Sequence, residues 1–309
     1  HLLDFLGNRP DPEKLVVALE STSFYGVHIA NFLSSHEMLA AFHTAVYCLN
    51  PKTVANYKKS FIDIGRITNK PWRGSQFLAL QRLTRHRLHL AKSLTKEKAY
   101  MLSNIFLKFS EFSLLDGEHQ PFSDRFGRTA AFVLTDFLST EEIVDMPLDA
   151  LIRHICEKGR NRFQDPEATA SLLQKAARDS YRLDKCLYEP LTISIASSFN
   201  LISAYTTEIK AVNKAIEKTL KGLDPAACQC LLSIPGIGPV MAAGILSEIG
   251  WIDAFKSQES LAKYAGLVWR ENQSGNYRAD DTPMSKAGNA YLRYYLLEAT
   301  SHVKNHCQE

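Results

Sequence analysis

Apolar residues along this chain switch between two spacings. Leu15-Val16-Val17-Ala18-Leu19 and Ala45-Val46-Tyr47-Cys48-Leu49 are short unbroken apolar runs, which read as buried strands. Between them Tyr25, Ile29 and Leu33 recur at helical spacing. Strand, helix and strand in that order predict a parallel pair in an α/β sheet. From Phe77 to Phe112 there is neither Gly nor Pro, and Leu80, Leu83, Leu88, Leu90, Leu94, Leu102, Ile105 and Leu107 predict one continuous helix. A short helix is expected within 123–138, and Thr140-Glu141-Glu142 reads as a helix start before Pro147 interrupts. Asp165-Pro166-Glu167 has the form of an N-cap followed by Pro in the first turn. The helical spacing it opens runs to about Leu220, with a break expected at Glu189-Pro190 and a stop at Lys221-Gly222. The predicted class is α/β plus α.

The stretch after Ser233 is organised differently. Pro235-Gly236-Ile237-Gly238-Pro239 cannot continue a helix, because Pro lacks an amide hydrogen and Gly costs backbone entropy. Val240 to Ile249 is small, apolar and helical in spacing. A helix that starts just after Gly236 and Gly238 offers unpaired amide hydrogens and a positive dipole end, a seat for a phosphate. The pattern looks like a helix-hairpin-helix; a plain tight connection between helices has the same residues. Further on, Gln273-Ser274-Gly275 lies in a polar run bounded by Arg270 and Arg278. Ser285-Lys286-Ala287-Gly288-Asn289 leads into a helix with Arg293 in its second turn. A serine next to glycine with cations on both sides suits a nucleophile that must approach a phosphate closely, although Ser-Gly is also a common loop dipeptide. Ser285 is the second candidate nucleophile, and its position fits an N-cap equally well.

Charge sharpens the picture only locally. Over 309 residues the net charge is +3, too small for a polycation. Between Arg66 and Lys98, however, Arg66, Lys70, Arg73, Arg82, Arg85, Arg87, Lys92, Lys96 and Lys98 face Glu97 alone. Such an excess suits a nucleic-acid backbone and predicts salt-sensitive binding. The six cysteines stand at no zinc-finger spacing, so reduced thiols and a cytoplasmic setting are expected. No apolar run reaches membrane-spanning length, which predicts no membrane partner. The chain opens at His1 without Met, as a fragment or a trimmed form would.

Taken together, P-G-I-G-P, Tyr264-Ala265-Gly266-Leu267, Gln273-Ser274-Gly275 and Ser285-Lys286-x-Gly288-Asn289, with Ala18-Leu19-Glu20-Ser21-Thr22 and Asn50-Pro51 upstream, resemble the DEDD-type insertion-sequence transposases. These are bridge-RNA-guided serine recombinases. The resemblance implies a partial ribonuclease-H and Holliday-resolvase-like (RuvC-like) domain over 1–115, carrying the basic helix. It implies a helical connector and coiled coil over 116–222, and a transposase domain with the serine nucleophile over 223–309. It casts Glu20 as one of four acidic residues that hold a divalent cation, Mg2+, and Ser274 as the nucleophile. Gly236, Gly238, Arg270, Arg278, Lys286, Arg293, Arg82, Arg85 and Arg87 become candidate nucleic-acid contacts. Implied partners are DNA, a structured noncoding guide RNA and further copies of the chain, as dimer or tetramer, in a bacterial or archaeal nucleoid.

The chain departs from that family in two places. The first family aspartate has no strand-like context before Glu20, since Asp4 and Asp11 lie in polar sequence. The family's K-T-D-x-x-D-A helix has no counterpart between Gly65 and Arg66, either through a real deletion or because the sequence as given omits residues there. Two other functions therefore stand beside the recombinase: a non-catalytic nucleic-acid-binding remnant, and a metal-dependent nuclease for branched DNA.

Overall fold

The computed structural model describes residues 15–20, 25–40, 43–49, 74–114, 124–159, 163, 165–269, 273–274, 277–278 and 282–306. In chain order the elements are β1 (Val16–Glu20), α1 (Tyr25–Ser35), α2 (Glu37–Ala40), β2 (Ala45–Leu49), α3 (Ser75–Lys108) and α4 (Ser110–Leu114). Then come α5 (Arg128–Asp136), α6 (Thr140–Asp145), α7 (Leu148–Gly159), α8 (Pro166–Asp179) and α9 (Lys185–Leu220). The chain continues through α10 (Pro225–Leu232), α11 (Pro239–Ile249), α12 (Gln258–Ala265), β3 (Gln273–Ser274), β4 (Tyr277–Arg278) and α13 (Ala290–Val303). Two units result: one from residues 1–85 with 213–309, the other from 86–212.

In the first unit, β1 and β2 pair in parallel, with Val16 opposite Ala45 and Glu20 opposite Leu49. Alternate residues Leu15, Val17 and Leu19 pack on Ala30, Leu33, Leu39 and Val46, as the two-residue period of a strand requires. This is the parallel strand pair predicted from the apolar runs. Toward the C-terminus of the same unit, α11 and α13 lie against each other around Ile245, Ala265, Leu292, Tyr295 and Ala299. Small residues make the approach possible: a Cβ on Gly244 would stand 2.4 Å from the Tyr295 ring. Tyr295 is fully buried, and its hydroxyl donates to the Thr84 carbonyl at 2.7 Å. Burying that ring contributes about 2 kcal/mol, provided the hydroxyl finds a partner, as it does here.

The second unit is all helical among the described residues. Its core gathers Met101, Ile105, Phe109 and Phe112 with Phe132, Leu134, Ile143, Leu151, Ile155, Leu173, Ile195 and Ile202. Lys108 is buried there, and its ammonium donates to the carbonyls of Leu134 (2.7 Å) and Phe137 (2.8 Å) and to the Thr192 hydroxyl (2.6 Å). A cation at the end of α5 satisfies carbonyls that the helix leaves unpaired. Burial nevertheless lowers the Lys108 pKa to about 8, against a smaller upward pull from Glu142.

The Asp165 N-cap forms as expected, its carboxylate accepting from Ala168 N at 2.8 Å. Two expectations fail. The break is not at Pro190, which lies inside α9, but at 180–184. Asp184 starts α9 by accepting from Cys186 N through its side chain and from Leu187 N through its carbonyl. Pro190 therefore sits little more than a turn from the helix start, where few backbone bonds are lost. The helix expected from Phe77 to Phe112 stops at Lys108 and resumes as α4. Phe109 turns into the core at the junction, and the Ser110 hydroxyl accepts from Tyr181 N.

Candidate nucleic-acid interface

An apolar helix cannot carry a bare carboxylate, and α11 carries Glu248, whose side chain is fully buried. The solution draws on two other helices. Arg85 of α3 donates to it in bidentate fashion, Nε to Oε1 at 2.7 Å and Nη2 to Oε2 at 2.9 Å. Asn289 Nδ2 donates to Oε2 at 2.9 Å, and Gln81 Nε2 reaches the same oxygen at 3.4 Å. The hydrogen bond to Glu248 leads the causes that raise the Arg85 pKa above its ordinary value, so the guanidinium is a fixed cation. The Arg85 guanidinium carbon lies 4.3 Å from the centroid of the Tyr291 ring.

Asn289 does two jobs. Its Oδ1 caps α13 by accepting from Tyr291 N (3.0 Å) and Leu292 N (3.1 Å), while its amide nitrogen holds Glu248. The N-cap is thus Asn289 and not Ser285. Ser285 lies four residues upstream, with its amide donating to Val268 O at 2.8 Å.

The two sequence motifs flanking Ser274 meet backbone to backbone. At the end of α12, Gly266 takes the left-handed conformation (φ +73°) that closes a helix. Gly288 lies against this turn so closely that a Cβ on it would stand 2.4 Å from Tyr264 O and 2.5 Å from Gly266 N. Asn289 N donates to Tyr264 O at 2.7 Å. Arg293 Nη1 ties both sides, donating to Ala265 O (2.9 Å) and to Lys286 O (3.0 Å). Lys286 is held at φ +52°, unusual for a residue with a side chain, and it is exposed. Trp269 and Met284 form an antiparallel bridge just beyond. Trp269 and Met284, which bracket Ser274 in sequence, are thereby held side by side. Between them in the chain Gln273 pairs with Arg278 and Ser274 with Tyr277 as a small antiparallel ladder.

The predicted contacts fall into several places. Gly238 is the N-cap of α11 with open space at its Cα, and Pro239 takes the first helical position. Gly236 (φ +93°) packs on the end of α13, where a Cβ would stand 2.9 Å from the backbone at His302 and Val303. Arg85 and Arg293 are brought into the cluster around Glu248 and Asn289, and Lys286 stands at its edge. Arg82 is exposed and Arg87 half-buried on α3. Glu20 closes β1. The side chains of Glu20, Ser274 and Arg278, together with Arg270, lie outside the described residues, as does the Gly65–Arg66 junction. Among the described residues no group of three or more His, Cys, Asp or Glu could hold a metal ion. Glu248 and Tyr291 escaped the sequence reading, and Tyr264 entered it only as part of a motif. The signal for Glu248 was present, as the one acid in the apolar run from Val240 to Ile249.

The C-terminal segment is similar in sequence to known proteins. Residues 228–309 match the transposase IS116/IS110/IS902 family. The matched segment contains the Gly236–Gly238 turn, the Gly266–Gly288 contact and the loop that bears Ser274. The chain is also similar to the transposase for insertion sequence element IS1111A of Coxiella burnetii, 34% identical over 154 residues, which are 48% of this chain and 38% of that protein. A probable family 20 transposase of Pseudomonas aeruginosa is 29% identical over 99 residues, 32% of this chain and 28% of that one. The matches thus span well under half the length of either curated relative. Among the described residues no helix is long and apolar enough to cross a membrane.

Proposed function

We propose that the protein is a DNA recombinase of the insertion-sequence transposase type, with Ser274 as its nucleophile. The observation that carries this reading is the pairing of the two flanks of Ser274, Trp269 with Met284 and Val268 with Ser285, inside the segment that matches the transposase family. A nucleophile that must meet a phosphodiester in line gains from a rigid support. Tyr264 to Leu267 and Lys286 to Asn289 supply it by backbone contact. In the proposed step the Ser274 Oγ–phosphorus bond forms as a phosphorus–oxygen bond to a deoxyribose breaks. The released sugar hydroxyl takes up the proton that the serine gives up, and the phosphodiester energy is kept for rejoining. Lys286, Arg270 and Arg278 would hold the phosphate oxygens. Glu20, at the end of a strand in a parallel pair, is where a carboxylate for Mg2+ would stand. Such an ion would supply positive charge to the transition state. A guide RNA gripped by the basic residues of α3, and assembly of several copies through α9, complete the proposal.

The test is Ser274→Ala with cognate DNA and RNA. A serine recombinase loses both strand exchange and the covalent protein–DNA adduct seen on a denaturing gel. Cleavage that persists in the variant would identify a hydrolytic nuclease instead.

A further inference from the structure

We propose that Tyr264, Tyr291 and the Glu248-held guanidinium of Arg85 form a platform for a single-stranded DNA segment, an inference that rests on the recombinase reading above. An unstacked base would lie on the aromatic surface and its phosphate would meet Arg85. Tyr264 is 43% and Tyr291 37% exposed, high values for rings that border a buried polar cluster. Both border the cluster of Arg85, Glu248 and Asn289. Tyr291 lies under the Arg85 guanidinium carbon at 4.3 Å, and the Tyr264 hydroxyl is 3.4 Å from Asn289 Nδ2, which itself donates to Glu248. Phe255 backs the Tyr264 ring, with centroids 5.3 Å apart, so that ring is held in place and not merely free at the surface.

Arg85 is fixed in the same way. Glu248 occupies Nε and one edge of Nη2, and the side chain keeps 31% of its surface open. A guanidinium pinned by a buried carboxylate loses little freedom on meeting a phosphate, which is how such forks gain selectivity. Glu248 cancels part of its charge, and the exposed Lys263 and Lys286 restore a positive balance. Aromatic faces beside cations suit single strands, because a duplex keeps its base faces stacked on one another.

The experiment uses the full chain and fluorescence anisotropy with two probes, a labelled oligothymidine and a labelled hairpin duplex. Tyr264→Ala and Tyr291→Ala should each raise the Kd for oligothymidine roughly 5- to 150-fold while moving the duplex Kd less than about twofold. Tyr→Phe at either position should bind like wild type. The charge-neutral double variant Arg85→Gln/Glu248→Gln should lower the salt slope for the single strand by about 0.7. Should an Ala variant fail to fold, photocrosslinking of wild type to a bromodeoxyuridine oligonucleotide must map to Tyr264 or Tyr291. Folded Ala variants with unchanged oligothymidine affinity, equal losses on both probes, or crosslinks confined to other residues would overturn the proposal. Wild type that binds the duplex but not oligothymidine would overturn it and leave the recombinase reading standing; wild type that binds neither would overturn both.

Discussion

Removing the Glu248 carboxylate should unlock the first unit. In Glu248→Ala, Arg85 loses two charge-assisted hydrogen bonds, and Asn289 and Gln81 each lose an acceptor. Breaking a buried pair by deleting one partner typically costs about 3–5 kcal/mol. The Arg85 side chain is 31% exposed, so water recovers part of that loss, and about 2–4 kcal/mol is expected. Glu248→Gln keeps the volume and one acceptor, and should cost about 1–2 kcal/mol. Replacing both partners, as Arg85→Met with Glu248→Leu, leaves no orphaned charge and should cost less than the two single changes summed. The measurement is a urea titration followed by tryptophan emission. Of the three tryptophans, Trp251 and Trp269 lie among the described residues and both belong to the unit formed by 1–85 and 213–309, so their emission reports that unit. A Glu248→Ala loss under about 0.5 kcal/mol, or additive single and double variants, would refute the assignment of Glu248 as the shared acceptor.

Three further outcomes are expected. Gly288→Ala forces a Cβ to 2.4 Å from a carbonyl oxygen and should cost about 3 kcal/mol in the same titration, with binding lost in parallel. Lys286→Gly relieves a left-handed backbone, so stability should hold or rise by up to about 1 kcal/mol while DNA affinity by anisotropy falls; a destabilised variant would contradict the strain. Lys108 has a folded pKa of about 8 against 10.5, because burial disfavours its charge. Between those values the unfolded chain holds a proton that the folded one has released, so stability rises with pH across the window and is unaffected by this group below it. Relative to Lys108→Met, wild type should gain about 3 kcal/mol between about pH 7.5 and 10.5, read by circular dichroism in urea.

Local features were legible in the sequence. The two strands, the Asp165 cap and the turn at Gly236–Gly238 all follow from residues close together in the chain. What escaped depends on distance. Pro190 reads as a breaker until Asp184 is seen to start the helix just before it. Arg85 reads as one of several free cations on a basic helix. Its partner lies 163 residues away, in a run whose apolar character hid the acid. Asn289 closed the Ser-Lys-x-Gly-Asn motif in sequence, but its second contact, with Glu248, exists only once α11 and α13 have packed. The side-chain geometry around Ser274 lies outside the described residues, and the case for that serine rests on the pairing of its two flanks.

The first unit is assembled from the two ends of the chain, with residues 86–212 inserted between Arg85 and Asn213. During synthesis this imposes an order. At roughly 5–20 residues per second, Arg85 waits on the order of 8–30 s for Glu248 to be made. Residues 86–212 have by then all been translated, and their helices can pack while Arg85 and the face of α3 that will receive Tyr295 remain uncovered. The nascent chain thus passes through a stage in which a complete basic helix has one face uncovered, and chaperone demand should be greatest in that interval.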